Sequence, residues 1–140
     1  MAVNISLRTR LALWVIFLLL AQMVLVLFVI QRQEVIAIEE IEQAFRDHPD
    51  DIAGILIEPI QCEGGDNHFR GEFLRELRRI ADEREALLVF DEVQTGLGGT
   101  GRMWAFEHFG LVPDVVAFAK KMQVGGILCS RRIERVPDHV

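Results

Sequence analysis

An α/β layer of parallel strands with flanking helices, preceded by one transmembrane-type helix, is the fold class that this sequence predicts. Three observations carry the prediction. Short apolar runs, AGILIE, LLVF and VVAF, recur along residues 34–140. Stretches with helical periodicity separate the first two of them, which is the alternation of a strand, crossover, strand layer. Ahead of them lies Leu11 to Ile30, twenty residues without a charge. At 140 residues the chain has room for one ordinary domain and an appendage. The boundary is placed at 33/34.

The first segment, residues 1–33, is governed by its apolar run, LALWVIFLLLAQMVLVLFVI at 11–30, in which Gln22 is the one strongly polar side chain. As a helix, the run is about 30 Å long, the thickness of a bilayer's hydrocarbon core. Fifteen of its residues are Leu, Ile, Val or Phe, and at roughly 0.4 kcal/mol each they favour insertion by several kcal/mol. A cleavable signal peptide is the competing reading, but Gln31-Arg32-Gln33-Glu34 follows the run with no small-residue site. A buried core helix would need a large protein around every face. Arg8 and Arg10 precede the span, and acidic residues follow Arg32. The positive-inside rule therefore leans toward an internal N-terminus.

In the second segment, Ile36, Ile38, Ile41 and Phe45 recur at helical spacing and predict an amphipathic helix that stops near His48-Pro49-Asp50. Ala53 to Glu58 is a buried strand ended by Pro59. Gln61 to Asn67 reads as a loop. Gly71 to Arg84 is a helix with Phe73, Leu74, Leu77 and Ile80 on one face. Arg70, Arg75, Arg78 and Arg79 form its solvated side, pairing with Glu72 and Glu76. Leu87 to Phe90 is a second strand with Asp91 at its end, and Thr95 to Gly101 is a glycine-rich turn. Met103 to Phe109 is a short helix whose Trp104, Phe106 and Phe109 belong to the core. Val115 to Phe118 is a third strand, followed directly by Ala119-Lys120-Lys121. The alternation implies parallel pairing.

Several function classes are disfavoured. The net charge is -6 and no Lys/Arg cluster exists to neutralise phosphates, so nucleic acid is set aside. Cys62 and Cys129 are outside any CxxC or Cys/His spacing and read as free thiols. His48, His68, His108 and His139 have no metal-type pairing, so no metal is expected.

In parallel sheets ligands gather at the carboxyl ends of the strands. Glu58, Asp91 and Lys120 each fall there. On spacing alone, a ligand site and a structural ion-pair cluster are both open readings.

The stretches EPIQCEGGDNHF, VFDEVQTGLGGTG and PDVVAFAKKMQVGG occur in this order. With them the chain resembles class III aminotransferases, in the branch of lysine 6-aminotransferase and 4-aminobutyrate aminotransferase, over nearly everything after Glu34. The resemblance implies a partial large domain of the fold-type I transferases that use pyridoxal 5'-phosphate. It implies that Lys120 forms the Schiff base and shuttles the proton, with Lys121 an ordinary charged side chain. Asp91 would pair with the pyridinium nitrogen, so that the ring can accept electrons. Gln94 would hydrogen-bond the phenolic oxygen, and Val93 would pack on the ring face. Glu63 resembles the switch carboxylate that pairs with a substrate arginine, and Glu58 would support Asp91 from behind. An amino-acid donor, 2-oxoglutarate as its partner and a homodimer also come with the resemblance.

The sequence departs from the family in having Cys62 where glycine is usual, which predicts strain if that position needs a positive φ. Family members are about three times as long. The upstream phosphate loop, the aromatic residue stacked on the ring and the small domain with the substrate arginine are not among these residues. The functional reading that the resemblance implies is transfer of a terminal amino group, of L-lysine, to 2-oxoglutarate. The alternative is a membrane-anchored, catalytically inactive remnant or fusion product. A sensor-type membrane protein rests on the leader alone.

Overall fold

A computed structural model describes residues 6–133; His139 lies outside them. The described residues divide into two compact units between Ala37 and Ile38. The long helix α1, Leu7–Asp47, belongs to both. It is continuous where the sequence predicts two separate helices, because Gln31-Arg32-Gln33-Glu34 contains only good helix formers. At its start the Thr9 N–H donates to Ser6 Oγ at 3.3 Å, an N-cap. At its end Pro49 cannot continue the helix and disfavours helical backbone at His48.

In the first unit every residue from 11 to 30 is exposed. This is a helix long and apolar enough to cross a membrane.

The second unit is built on a four-stranded sheet. β1 (Gly54–Ile57) pairs parallel with β4 (Leu87–Asp91), in register from Gly54↔Leu87 to Ile57↔Phe90. β4 pairs parallel with β5 (Val115–Phe118), Asp91 facing Ala117. Beyond β5, β6 (Gly126–Cys129) runs antiparallel, which departs from the expectation of a purely parallel layer. The reason is the connection, residues 119–125, far shorter than the dozen or so a parallel crossover needs. A second departure is a two-stranded hairpin, β2 (Ile60–Gln61) with β3 (Asn67–His68), at the margins of the expected 61–67 loop. The short helix also begins later than expected, as a 3-10 turn over Ala105–Phe109.

Helix α2, Gly71–Glu83, connects β1 to β4 by way of the hairpin and buries Phe73, Leu74, Leu77, Ile80 and Ala81. It packs on β4 and β1, where Leu88 and Phe90 are fully buried. The tail of α1 adds Phe45, which clusters with Ile80 and Ala86, and Ile38 and Ile41 pack against that cluster. Ile36 does not share this face and is exposed. At about 100° per residue it lies some 200° from Ile38.

Asp114 staples these layers together. Its Oδ2 accepts from the Leu88 N–H at 2.9 Å and from Arg78 Nη1 at 2.8 Å, while its own N–H donates to Leu88 O at 2.8 Å. Arg78 is therefore not a solvated residue as the helix pattern predicts. Its side chain is 15% exposed and also pairs with Asp82. Arg75 with Glu72 and Arg79 with Glu76 form the expected surface pairs.

Candidate functional site

The three parallel strands point the same way and end in steps: Ile57 faces Phe90 and Phe90 faces Val116, so β4 runs one residue, and β5 two residues, past the level at which β1 ends. Glu58, Asp91 and the segment leading to Lys120 therefore leave the sheet on one edge. Their order in space follows the strand order, with Asp91 on the central member of the three.

Asp91 closes β4 and is half-buried. Its Oδ1 accepts from the Val93 N–H at 2.9 Å, which fixes the carboxylate against the turn that follows. The next residue, Glu92, keeps to the ladder through its N–H to Ala117 O at 2.9 Å. Its carboxylate turns inward, and the residue is 1% exposed. There it accepts from the Thr95 hydroxyl at 2.6 Å, the Ala105 N–H at 2.9 Å and the Phe106 N–H at 2.9 Å. One buried carboxylate thus satisfies the orphan donors at the start of the 3-10 turn and pins the turn after β4 to it. Trp104 lies over Gly96, where an added Cβ would come within 2.7 Å of the indole, so glycine is required by close approach. Trp104 also packs on Phe118, ring centroids 6.2 Å apart, and Phe106 on Phe90 at 6.5 Å.

Gln94 follows, half-buried, and its Nε2 reaches Glu63 Oε1 at 3.5 Å. Two expected site residues from different motifs are brought together by this contact. Glu63 is exposed in the turn between β2 and β3. That turn takes its positive φ values at Gly65 (116°) and Asp66 (54°), and Cys62 is not among the left-handed residues. The strain predicted there does not arise. Val93 and Glu58 are both half-buried.

Lys120 opens a 3-10 turn, Lys120–Met122, with φ of 50°. This is uncommon backbone for a residue with a Cβ, of the kind that concentrates at functional positions. The Gln123 N–H caps the turn on Lys120 O at 2.9 Å. Lys120 is exposed. Lys121 instead reaches back to the loop after β4, donating to Gln94 O at 2.8 Å and Gly96 O at 3.3 Å.

Sequence reasoning missed Glu92, Asp114 and Lys121. The first had a faint signal, a carboxylate three residues before Thr95 beside an apolar strand. His68 and His108 are exposed, the latter bonded to Thr100 O at 3.0 Å. Chemically, a carboxylate, an amide and an amine on one sheet edge match a ring N–H, a phenolic oxygen and an aldehyde, so the donor set fits a pyridoxal ring.

The model of the family described as Aminotransferase class-III matches residues 14–136. An L-lysine-epsilon aminotransferase of Mycobacterium tuberculosis is 51% identical over 104 residues, which cover 74% of this chain and 23% of that protein. The human mitochondrial 4-aminobutyrate aminotransferase is 48% identical over 101 residues, 69% of this chain and 20% of that one. A solved structure of lysine aminotransferase from M. tuberculosis superposes with a TM-score of 0.73 at 41% identity, covering 100% of this chain and 28% of that chain. The matched residues thus span between a fifth and a quarter of the length of these curated relatives. With most of its residues matched and the sheet, loop and lysine turn in place, the chain belongs to the class-III aminotransferases.

Proposed function

We propose that this chain carries the cofactor-binding core of a pyridoxal-phosphate aminotransferase that transfers a terminal amino group, of L-lysine, to 2-oxoglutarate. The observation that carries the reading is the placement of Asp91, Gln94 and Lys120 on one edge of register-aligned parallel strands. The names of the relatives support the amino donor. Pyridoxal phosphate, when bound, supplies a ring that draws electrons from the substrate carbon. This chain's residues hold and tune it. Asp91 keeps the proton on the ring nitrogen, Gln94 donates to the phenolic oxygen, and Val93 packs on the ring. Lys120 would hold the aldehyde carbon through its amine, the carbonyl oxygen leaving as water, and would carry a proton at Nζ. Glu58 supports Asp91. Glu63, within reach of Gln94, is the carboxylate that answers a substrate arginine, and a second subunit completes the phosphate site. Residues 34–140 form this partial large domain. When the full chain is incubated with pyridoxal phosphate and reduced with borohydride, the label maps to Lys120. Label spread evenly over both lysines would remove the assignment.

A second reading concerns residues 1–33, favoured by the uninterrupted exposure of 11–30. This segment places the protein at a lipid bilayer, with the span at 11–30. The chain should stay in the pellet after alkaline carbonate extraction of membranes, and a chain lacking residues 1–33 should be released. Release of the full chain would refute the span.

A further inference from the structure

Two neighbouring lysines occupy the turn after β5, and the second has a contact of a different kind from the first. Lys121 Nζ crosses to the loop after β4 and donates to two of its carbonyls, Gln94 O at 2.8 Å and Gly96 O at 3.3 Å. The loop is shaped around that ammonium. A Cβ placed on Gly99 would lie 2.5 Å from Lys121 Nζ and 2.7 Å from Thr95 O, so the glycine leaves the space that the lysine head occupies. From its other side the loop is anchored on Glu92, through the Thr95 hydroxyl at 2.6 Å and the Gly96 N–H to Glu92 O at 2.9 Å. Gln94 lies at the edge of these two anchors.

We propose that Lys121 is a positioning residue: its ammonium locks the Gln94–Gly99 loop to the turn that carries Lys120, and so sets the separation between Gln94 and Lys120. This rests on the assignment of those two residues to one pyridoxal ring. Gly96, Gly98, Gly99 and Gly101 make the loop backbone permissive, and hydrogen bonds from a charged donor are the strong ones that can restrain it. Glutamine, the neutral side chain with two donors on one atom, is one bond shorter than lysine. Preorganisation of this kind matters because a small misplacement of reacting groups costs far more than the contact itself.

The test uses the full chain, with pyridoxal phosphate as the probe, trapped by borohydride and mapped by peptide mass spectrometry at limiting cofactor. Far-UV circular dichroism checks folding. Lys121→Met, which keeps the stem and removes the donors, should reduce labelling of Lys120 roughly tenfold, about the low end for one charge-assisted bond, since the Glu92 anchor continues to hold the loop. Lys121→Arg should recover most of it. Equal labelling of the native chain and the Met variant would overturn the proposal. Competitive acetylation of the native chain reads the clamp without a variant or a cofactor. Lys121 should react roughly tenfold more slowly than Lys120, because its amine is committed to two carbonyls. Equal rates overturn the clamp even where the Met variant fails to fold. A native chain that shows the acetylation difference yet takes no label on Lys120 retains the clamp and refutes the cofactor reading, so the two failures are distinct.

Discussion

Asp114→Ala should destabilise the sheet-bearing unit by about 3 kcal/mol, measured by urea denaturation at neutral pH. The size follows from what the substitution strands. The Leu88 N–H loses its 2.9 Å acceptor inside the sheet, and the mostly buried Arg78 guanidinium loses one of its two carboxylates. An unsatisfied buried donor and a partly uncompensated charge are each costly. The same residue gives a pH dependence. Burial pushes the Asp114 carboxyl up, but the Leu88 N–H, Arg78 and Arg132 outweigh it and hold it below the usual range. With a depressed folded value, its stabilisation is complete above the unfolded value, about pH 4, and is lost as pH falls through the lower folded value. Native chain and Asp114→Ala should therefore converge in stability in acid. A constant gap between them down to strongly acidic pH would show that the carboxylate is not the stapling group.

Asp91→Asn should weaken pyridoxal phosphate binding by roughly a hundredfold, about 3 kcal/mol, in a fluorescence titration. Asparagine keeps a carbonyl oxygen to accept the Val93 N–H, held at 2.9 Å by the native carboxylate. The turn should survive, and far-UV circular dichroism should not change. On the proposed assignment, the substitution removes the negative charge that would face the ring nitrogen, in a half-buried position where an ion pair is screened less than at the open surface. Unchanged affinity would remove Asp91 from the site.

The parts of the site that the sequence discloses are those set by strand periodicity. Glu58, Asp91 and Lys120 could be placed at strand ends because a short apolar run bounded by charge has few other readings. Gln94 could be attached to them only through the family resemblance. Partners across folded distance were hidden. Arg78 meets Asp114 36 residues away, whereas a helical wheel shows only neighbours three or four positions apart. Glu92 reads as one more surface acid beside Asp91 until the 3-10 turn folds over it. β6 is a four-residue run whose pairing direction depends on the length of a turn, not on its own pattern. Ile36 shows the opposite error, a residue credited to a face because its neighbours at 38, 41 and 45 define one.

The hairpin of β5 and β6 also orders events in time. Its strands are joined across residues 119–125, so the segment that presents Lys120 has the lowest contact order in the sheet and can close on a microsecond scale. β1 must wait for α2 to span the gap to β4, a far longer loop to close. The turn that carries Lys120 can therefore close ahead of the parallel pairs, which need a crossover on either side of β4. A chain refolding from denaturant can display its amine before the strands that carry Glu58 and Asp91 have paired.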